Sequence, residues 1–211
     1  MAFYDLSHIQ SWERFYRTNF INSLSGFKSA SLIATVNKEG RSNLAIFSNI
    51  VHLGADPALI GFVNRPREAA PHTLGNIETT GTYTINLIPA NVIDQAHQTS
   101  AKYEQGESEF SAVGLTEEFT EHCKAPFVLE SPVKYSMELK EIIPIVFNNT
   151  FFVIGAVTAA FVDEHILSAD GFLDLEKANI ITSLGIDGYY ATEKVARFSY
   201  AKPGKPLSRI D

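Results

Sequence analysis

Two long runs with strand character, Val133–Ile143 and Thr150–Val162, stand side by side in the second half of the chain, with only Pro144–Asn149 between them. Both are rich in apolar and β-branched residues, and the short connection suits an antiparallel hairpin. No helical pattern intervenes, so the regular strand–helix alternation of a doubly wound parallel sheet is missing. The first half adds strands at Ser31–Val36 and Asn43–Leu53, separated by a turn at Lys38-Glu39-Gly40. Pro57 precedes a short apolar strand, Leu59–Val63, and Thr82–Ile88 reads as another. Five or six strands with two or three helices among them predict a mainly β fold, an antiparallel barrel with flanking helices.

Residues 7–25 read as an amphipathic helix. Ser7 and Gln10 form a capping-box pattern, Ile9, Trp12, Phe15, Tyr16, Phe20 and Leu24 fall mostly at helical spacing, and Gly26 is a stop. Pro71-His72-Thr73 marks a second helix start, running to about Thr79 with Gly81 ending it. Pro89 starts a third through about Ala101, with Val92, Ile93 and Ala96 on one face. Residues 102–131 read as irregular, broken by Gly106, Gly114 and Pro126. After Asp163 come turns at Ala169-Asp170-Gly171 and Asp187-Gly188, then a polar end with Pro203 and Pro206. No repeat or linker divides the chain. One domain over 1–211 is expected, with a helical N-terminal extension to about 26 and a C-terminal tail from about 164.

Composition narrows the function. Hydrophobic residues make up 45% and charged residues 19%, enough for a core. A formal net charge of −7 argues against nucleic acid as the main partner, while leaving room for one local basic pocket. Cys123 is the single cysteine, so no intrachain disulfide can form, and a reducing compartment is expected. The opening Met-Ala-Phe-Tyr-Asp lacks the basic and apolar regions of a signal peptide. The longest apolar stretch, around Phe151–Val162, is broken by Gly155 and Thr158 and falls short of a membrane span of about 20 residues. A cytoplasmic protein without membrane contact is the expectation.

Several chemistries are absent. There is no G-x-G-x-x-G, no P-loop and no G-x-S-x-G elbow. The histidines at 8, 52, 72, 97, 122 and 165 are spread out, with no H-x-x-x-H pair for a metal. His122 beside Cys123 is a poor nucleophile–base pair, because sequence neighbours rarely meet in that geometry.

Three segments remain. In Asn43–Ile50, Ser48 and Asn49 sit where a core strand would want apolar residues. Alternation puts Asn43, Ala45 and Phe47 on one face and Ile46, Ser48 and Ile50 on the other. The bland alternative is a strand ending in a polar turn. Asn64-Arg65-Pro66-Arg67 precedes His72, Thr73 and Asn76, which places two guanidinium groups before a helix N-terminus, a natural phosphate site. A solvated basic loop with Thr73 as an ordinary N-cap explains the same residues. Thr99–Tyr103 and Gly106–Phe110 alternate polar and aromatic side chains, either around a ligand or in a surface loop anchored by Phe110 and Leu115.

Taken together, "NLAIFSNI" (43–50), "DPALIGF" (56–62), "HTLGNIETTGTYTINL" (72–87), "SAKYEQGESEFSAVGLT" (100–116) and "ESPVKYSMELKE" (130–141) resemble the flavin-reductase-like, FMN-binding split-barrel family from about Phe27 to Asp163. The resemblance implies a six-stranded antiparallel split β-barrel of Greek-key character and a homodimer with FMN near the subunit interface. It implies that Asn43, Phe47, Ser48, Asn49 and Ile50 run along the flavin. Asn64, Arg65 and Arg67 would border the ribityl chain and phosphate. Thr73 would bind phosphate at its helix N-terminus with Asn76 nearby, and Ser100, Tyr103 and Phe110 would close the pocket. Two stretches depart from the family pattern. Lys28-Ser29-Ala30-Ser31 stands where many members carry Pro-Arg-Pro, and Pro71-His72-Thr73 where many carry Lys-Asp-Thr. Arg67 or Lys28 would then supply the altered contact.

The implied activity is NAD(P)H-dependent flavin reduction, with hydride passing from NADH or NADPH to the flavin N5 and no obligatory protein acid or base. The reduced flavin would serve a partner oxygenase or another acceptor. The alternatives are a non-enzymatic FMN carrier or storage protein, and a related barrel binding haem or a deazaflavin with His72 or His97 as an axial ligand.

Overall fold

The computed structural model describes residues 1–103 and 106–210. The chain opens with two helices, α1 (Leu6–Ser11) and α2 (Arg14–Leu24), where one helix over 7–25 was expected. Glu13 makes the break. Its carboxylate accepts from the N–H groups of Phe15 at 2.8 Å and Tyr16 at 3.2 Å and so caps a new helix. Asp5, not Ser7, caps α1, accepting from the His8 N–H at 2.8 Å. Gly26 stops α2 with φ 74°.

Strands β1 (Lys28–Ser29), β2 (Ser31–Val36), β3 (Ser42–Phe47), β4 (Val51–Ala55) and β5 (Ala58–Asn64) follow. Then come α3 (Pro71–Thr80), β6 (Thr82–Leu87), a 3-10 turn at Ala90–Val92 and α4 (Ile93–Gln98). The stretch 102–131, expected to be irregular, contains α5 (Glu109–Val113) and a hairpin of β7 (Glu117–Thr120) and β8 (Cys123–Val128). Two long strands, β9 (Val133–Ile145) and β10 (Thr150–Val162), form the expected hairpin, with Pro144 inside β9 rather than in the turn. β11 (Ile181–Leu184) and β12 (Gly188–Ala191) close the series.

Seven strands form one antiparallel sheet in the order β3-β2-β6-β9-β10-β5-β4. β3 and β4 are its opposite edges, yet only Ser48–Ile50 joins them. The four steps from Phe47 to Val51 reach roughly 14 Å at full extension, so the sheet must curl until its edges nearly meet. The edges do not pair, which leaves a split barrel. From β5, next to the β4 edge, the chain returns through α3 as β6 between β2 and β9, the long connection that gives the fold its Greek-key character. The strand count differs from six because the run expected over Asn43–Leu53 breaks at Ser48–Ile50. The same break returns Ile50 to the side of Phe47, against the strict alternation expected.

Inside the barrel Ile33, Phe62, Ile85, Met137 and Val153 pack with Leu74 and Ile77 of α3. The Phe62 ring lies edge-on to Phe47 and to Tyr83, at centroid distances of 5.0 and 5.7 Å. On the outer face Leu32, Ala34 and Leu44 pack against Val92, Ala96 of α4 and Phe110 of α5. Covered on both faces, β2 is buried at every position, and its apolar residues Leu32, Ile33, Ala34 and Val36 do not alternate with exposed ones. The C-terminal tail returns to the start of the chain, where β11 pairs with β1, Lys28 opposite Ser183. No helix among the described residues is long and apolar enough to cross a membrane.

Candidate functional site

A cavity of about 410 Å³ lies between β3, the Arg65–Thr73 segment, residues 97–103 and the β11–β12 hairpin. Its volume is within the range of small-molecule sites. Ala45, Ile46 and Phe47 give it an apolar wall, and Ser48 and Asn49 continue that wall along the seam between the sheet edges.

The N-terminus of α3 opens into it. Ala70 is the N-cap and no side chain caps the helix. Pro71 at the first position has no N–H, so the helix leaves the N–H groups of His72 and Thr73 without an intrahelical partner. The aligned peptide dipoles add partial positive charge there. Arg65 lines the same cavity and makes no ion pair with a described residue. Thr73 is buried at 4% exposure, and its hydroxyl oxygen receives a hydrogen bond from Asn43 Nδ2 at 3.3 Å. With its oxygen already accepting, Thr73 has its proton left for an anion. Uncapped N–H groups, a guanidinium and a buried hydroxyl are a donor set that fits a phosphate monoester.

The other expected residues divide. Asn43, Phe47, Ser48, Asn49, Arg65, Thr73, Ser100 and Tyr103 line the cavity. Asn64 stands behind it, donating from Nδ2 to the Arg65 carbonyl at 2.8 Å and the Ala70 carbonyl at 3.4 Å, and so folds the loop that presents Arg65. Ile50 packs in the barrel interior, and Phe110, 1% exposed, packs in the outer core. Asn76 donates to Thr35 Oγ1 at 2.9 Å and faces an adjoining cavity of about 700 Å³. Arg67 turns away. Its guanidinium pairs with Glu78 and lies 4.9 Å from the Phe151 ring centroid. Lys28 is likewise engaged, donating to the Asn22 carbonyl at 3.0 Å at the end of α2. Neither occupies the lining where a replacement contact was expected.

Glu109 and Tyr189 line the cavity without a signal in the sequence, and His97, expected only as an axial ligand of the haem or deazaflavin alternative, lines it with them. Glu109 is 8% exposed, lies between the two cavities and accepts from the Leu44 N–H at 2.9 Å. Burial pushes its carboxyl pKa up, against the opposing pull of that hydrogen bond and of His72. Tyr189 and His97 meet at 2.8 Å, phenol oxygen to Nδ1. No local signal marks this pairing, because the partners lie far apart in sequence. Among the described residues no group of three or more His, Cys, Asp or Glu side chains is placed to hold a metal ion.

The comparisons with known proteins agree with this architecture. A split-barrel protein of Shewanella frigidimarina, assigned to the flavin reductases, superposes with a TM-score of 0.92 at 46% identity, over 95% of this chain and 100% of that one. Nitrilotriacetate monooxygenase component B from Bacillus cereus shares the fold with a TM-score of 0.81 at 21% identity, over 92% and 96% of the two chains. An FMN-binding protein from Thermus thermophilus shares it with a TM-score of 0.65 at 20% identity, over 81% and 90%. Residues 24–177 match the flavin reductase like domain, and they carry β2 to β10, α3 and most of the cavity wall: the chain belongs to the flavin reductase-like family.

Proposed function

We propose that the chain binds FMN in the 410 Å³ cavity and is an NAD(P)H-dependent flavin reductase. The observation that carries this reading is the uncapped N-terminus of α3 opening beside Arg65. The His72 and Thr73 N–H groups, the Thr73 hydroxyl and Arg65 hold the phosphate. Asn43, Phe47, Ser48 and Asn49 border the ring and ribityl chain, and Ser100 and Tyr103 close the pocket. Asn64, Asn76, Ile50, Phe110 and Arg67 support these residues from behind.

Bound there, FMN supplies two-electron hydride chemistry that no side chain can. The chain's part is to orient the ring, exclude water along the Ala45–Phe47 wall and offer backbone N–H groups to negative charge. No protein acid or base is required. Exposed apolar side chains such as Phe15, Leu24 and Phe147 support a homodimer. The monomer fold shared with a monooxygenase component supports delivery of reduced flavin to a partner oxygenase. The buried free thiol of Cys123 suits a cytoplasmic, reducing setting.

The test is the visible spectrum of purified protein after incubation with FMN and removal of free ligand. A bound-flavin spectrum near one FMN per chain, bleached anaerobically by NADH or NADPH, is the expected result. Bound flavin that neither donor bleaches would make the protein an FMN carrier or store. A colourless protein overturns the reading of a resident cofactor, and haem and deazaflavin are the ligands to try next.

A further inference from the structure

One wall of the cavity is built outside the segment that matches the family. Ser183, Ile186 and Tyr189 line it, and all three lie on the β11–β12 hairpin, beyond residue 177. The hairpin is anchored. β11 pairs with β1, and the Ile181 N–H donates to the Ile88 carbonyl at 3.1 Å. The Tyr189 ring packs against the outer core that also takes Ile46 of β3 and Ile93 of α4. The His97 ring meets it edge-on, with centroids 5.7 Å apart and planes at 84°.

Tyr189 and His97 also share the 2.8 Å hydrogen bond, so the phenol is fixed by packing on one side and by an imidazole on the other. Burial, with the Asp187 carboxylate, pushes the Tyr189 pKa up, so the phenol keeps its proton at neutral pH. With a proton on Nδ1, His97 donates to the Tyr189 oxygen, and the phenol proton is left for a ligand in the cavity. This wall carries no lysine or arginine of its own. Arg65 and the free N–H groups that suit phosphate are on the α3 side, while Lys102 lines the cavity from the 97–103 segment. A flat aromatic face with one neutral donor suits an uncharged ring bearing a carbonyl group.

We propose that Tyr189, positioned by His97, determines specificity for the second small molecule at this site, receiving the carboxamide-bearing nicotinamide ring of the hydride donor. The proposal rests on the FMN reading above. The Tyr189 hydroxyl donates to the carboxamide oxygen while the ring supplies apolar contact, and His97 acts only through Tyr189.

The experiment uses the full chain loaded with FMN and compares Tyr189→Phe, Tyr189→Ala, His97→Gln and His97→Ala with the wild type. 1,4,5,6-Tetrahydronicotinamide mononucleotide, whose ring is uncharged and cannot give hydride, is titrated against each, read from the perturbation of the flavin absorption bands without turnover. KM and kcat for the preferred donor are then measured. Tyr189→Phe should weaken nucleotide binding and raise KM roughly five- to tenfold, the worth of one neutral hydrogen bond, with kcat and FMN affinity within about twofold. Tyr189→Ala should weaken both further. His97→Ala should act like Tyr189→Phe, and His97→Gln, which can still donate to the phenol oxygen, should recover most of the loss. Wild-type nucleotide affinity and KM in Tyr189→Phe and Tyr189→Ala, with FMN bound, would overturn the proposal and leave the FMN reading intact. A loss of FMN affinity as large as the loss of nucleotide affinity would overturn it too, placing Tyr189 in the flavin's own site. A wild-type chain that holds no flavin overturns both readings.

Discussion

Asn49 holds Val63 by both of its backbone groups: the side-chain amide donates to the Val63 carbonyl at 2.8 Å, and the side-chain oxygen accepts the Val63 N–H at 3.1 Å. Asn49 lies in the three-residue link between the two edges of the sheet, where β3 and β4 do not pair. One side chain thus supplies, at the split, the two hydrogen bonds that a strand neighbour would otherwise make. Asn49→Ala leaves a partly buried donor and acceptor without partners and should lower stability by about 2–4 kcal/mol. Urea denaturation followed by circular dichroism measures it. A loss below about 0.5 kcal/mol would mean that water replaces the clamp. Ser48 and Asn49 border the cavity, so weaker flavin retention should accompany the loss.

The two arginines of the 64–67 segment should separate cleanly. Arg65 faces the cavity without an ion-pair partner among the described residues, whereas Arg67 is held by Glu78 and Phe151. Arg65→Ala should weaken FMN binding about tenfold and riboflavin binding little, because riboflavin lacks the phosphate. Arg67→Ala should leave the FMN-to-riboflavin preference unchanged and cost at most about 1 kcal/mol of stability, since its pair is exposed. Parallel fluorescence titrations with both flavins decide. Equal losses for the two ligands in Arg65→Ala would remove Arg65 from the phosphate.

Thr73 tests the same phosphate from the helix side. Its buried hydroxyl accepts from Asn43, which leaves one proton to give. Thr73→Ala should weaken FMN binding by about 1–2 kcal/mol through loss of a charge-assisted hydrogen bond. Thr73→Ser should restore most of it. Unchanged affinity in the alanine variant refutes the role.

Much of the β framework is legible locally. Ser31–Val36, the Gly40 turn and Thr82–Leu87 follow from β-branched runs and one left-handed glycine, and Pro71 with Gly81 brackets α3 at both ends. Elsewhere tertiary partners override the local signals. Pro126 reads as a breaker, yet it sits in β8 with its carbonyl accepting from the Thr84 hydroxyl at 2.7 Å. Arg67 reads as a phosphate ligand until α3 brings Glu78 to it. Glu109 reads as a loop carboxylate, and only the fold sets it against the Leu44 N–H. The sequence offers His97 only as an axial ligand and leaves Tyr189 unmarked, because their pairing exists only once the C-terminal hairpin has returned to β1.

Gly155 lies at a register shift in β10 against β9. A Cβ there would collide with the Tyr83 hydroxyl and come within 3.0 Å of Met137 Cε and 3.1 Å of the Glu138 carbonyl oxygen. Tyr83 is fully buried, so its ring has little room to yield, and its hydroxyl has no partner among the described residues. Gly155→Ala should therefore cost about 2–3 kcal/mol, while Tyr83→Phe alone should be neutral or stabilising. The double variant should recover part of the alanine loss, and thermal unfolding of the four proteins gives the coupling. Strict additivity would show that the glycine is required by the backbone and not by the phenol.

Glu109 gives a prediction in pH. Burial raises its folded-state pKa, so the folded chain prefers the protonated acid. A raised pKa contributes stability that is fully present below the unfolded value, about 4.3, and is lost as pH rises through the folded pKa. At pH 7 the ionised carboxylate is therefore a net cost, although it still accepts from the Leu44 N–H. Glu109→Gln keeps that acceptor in its amide oxygen and never ionises. It should stabilise the protein at pH 7, with the gain shrinking as pH falls through the folded pKa and gone near pH 4. Urea midpoints at pH 4, 5.5 and 7 measure the trend for both proteins. A difference independent of pH would mean that the Leu44 hydrogen bond and His72 offset the burial, and that Glu109 sits folded with an ordinary carboxylate pKa.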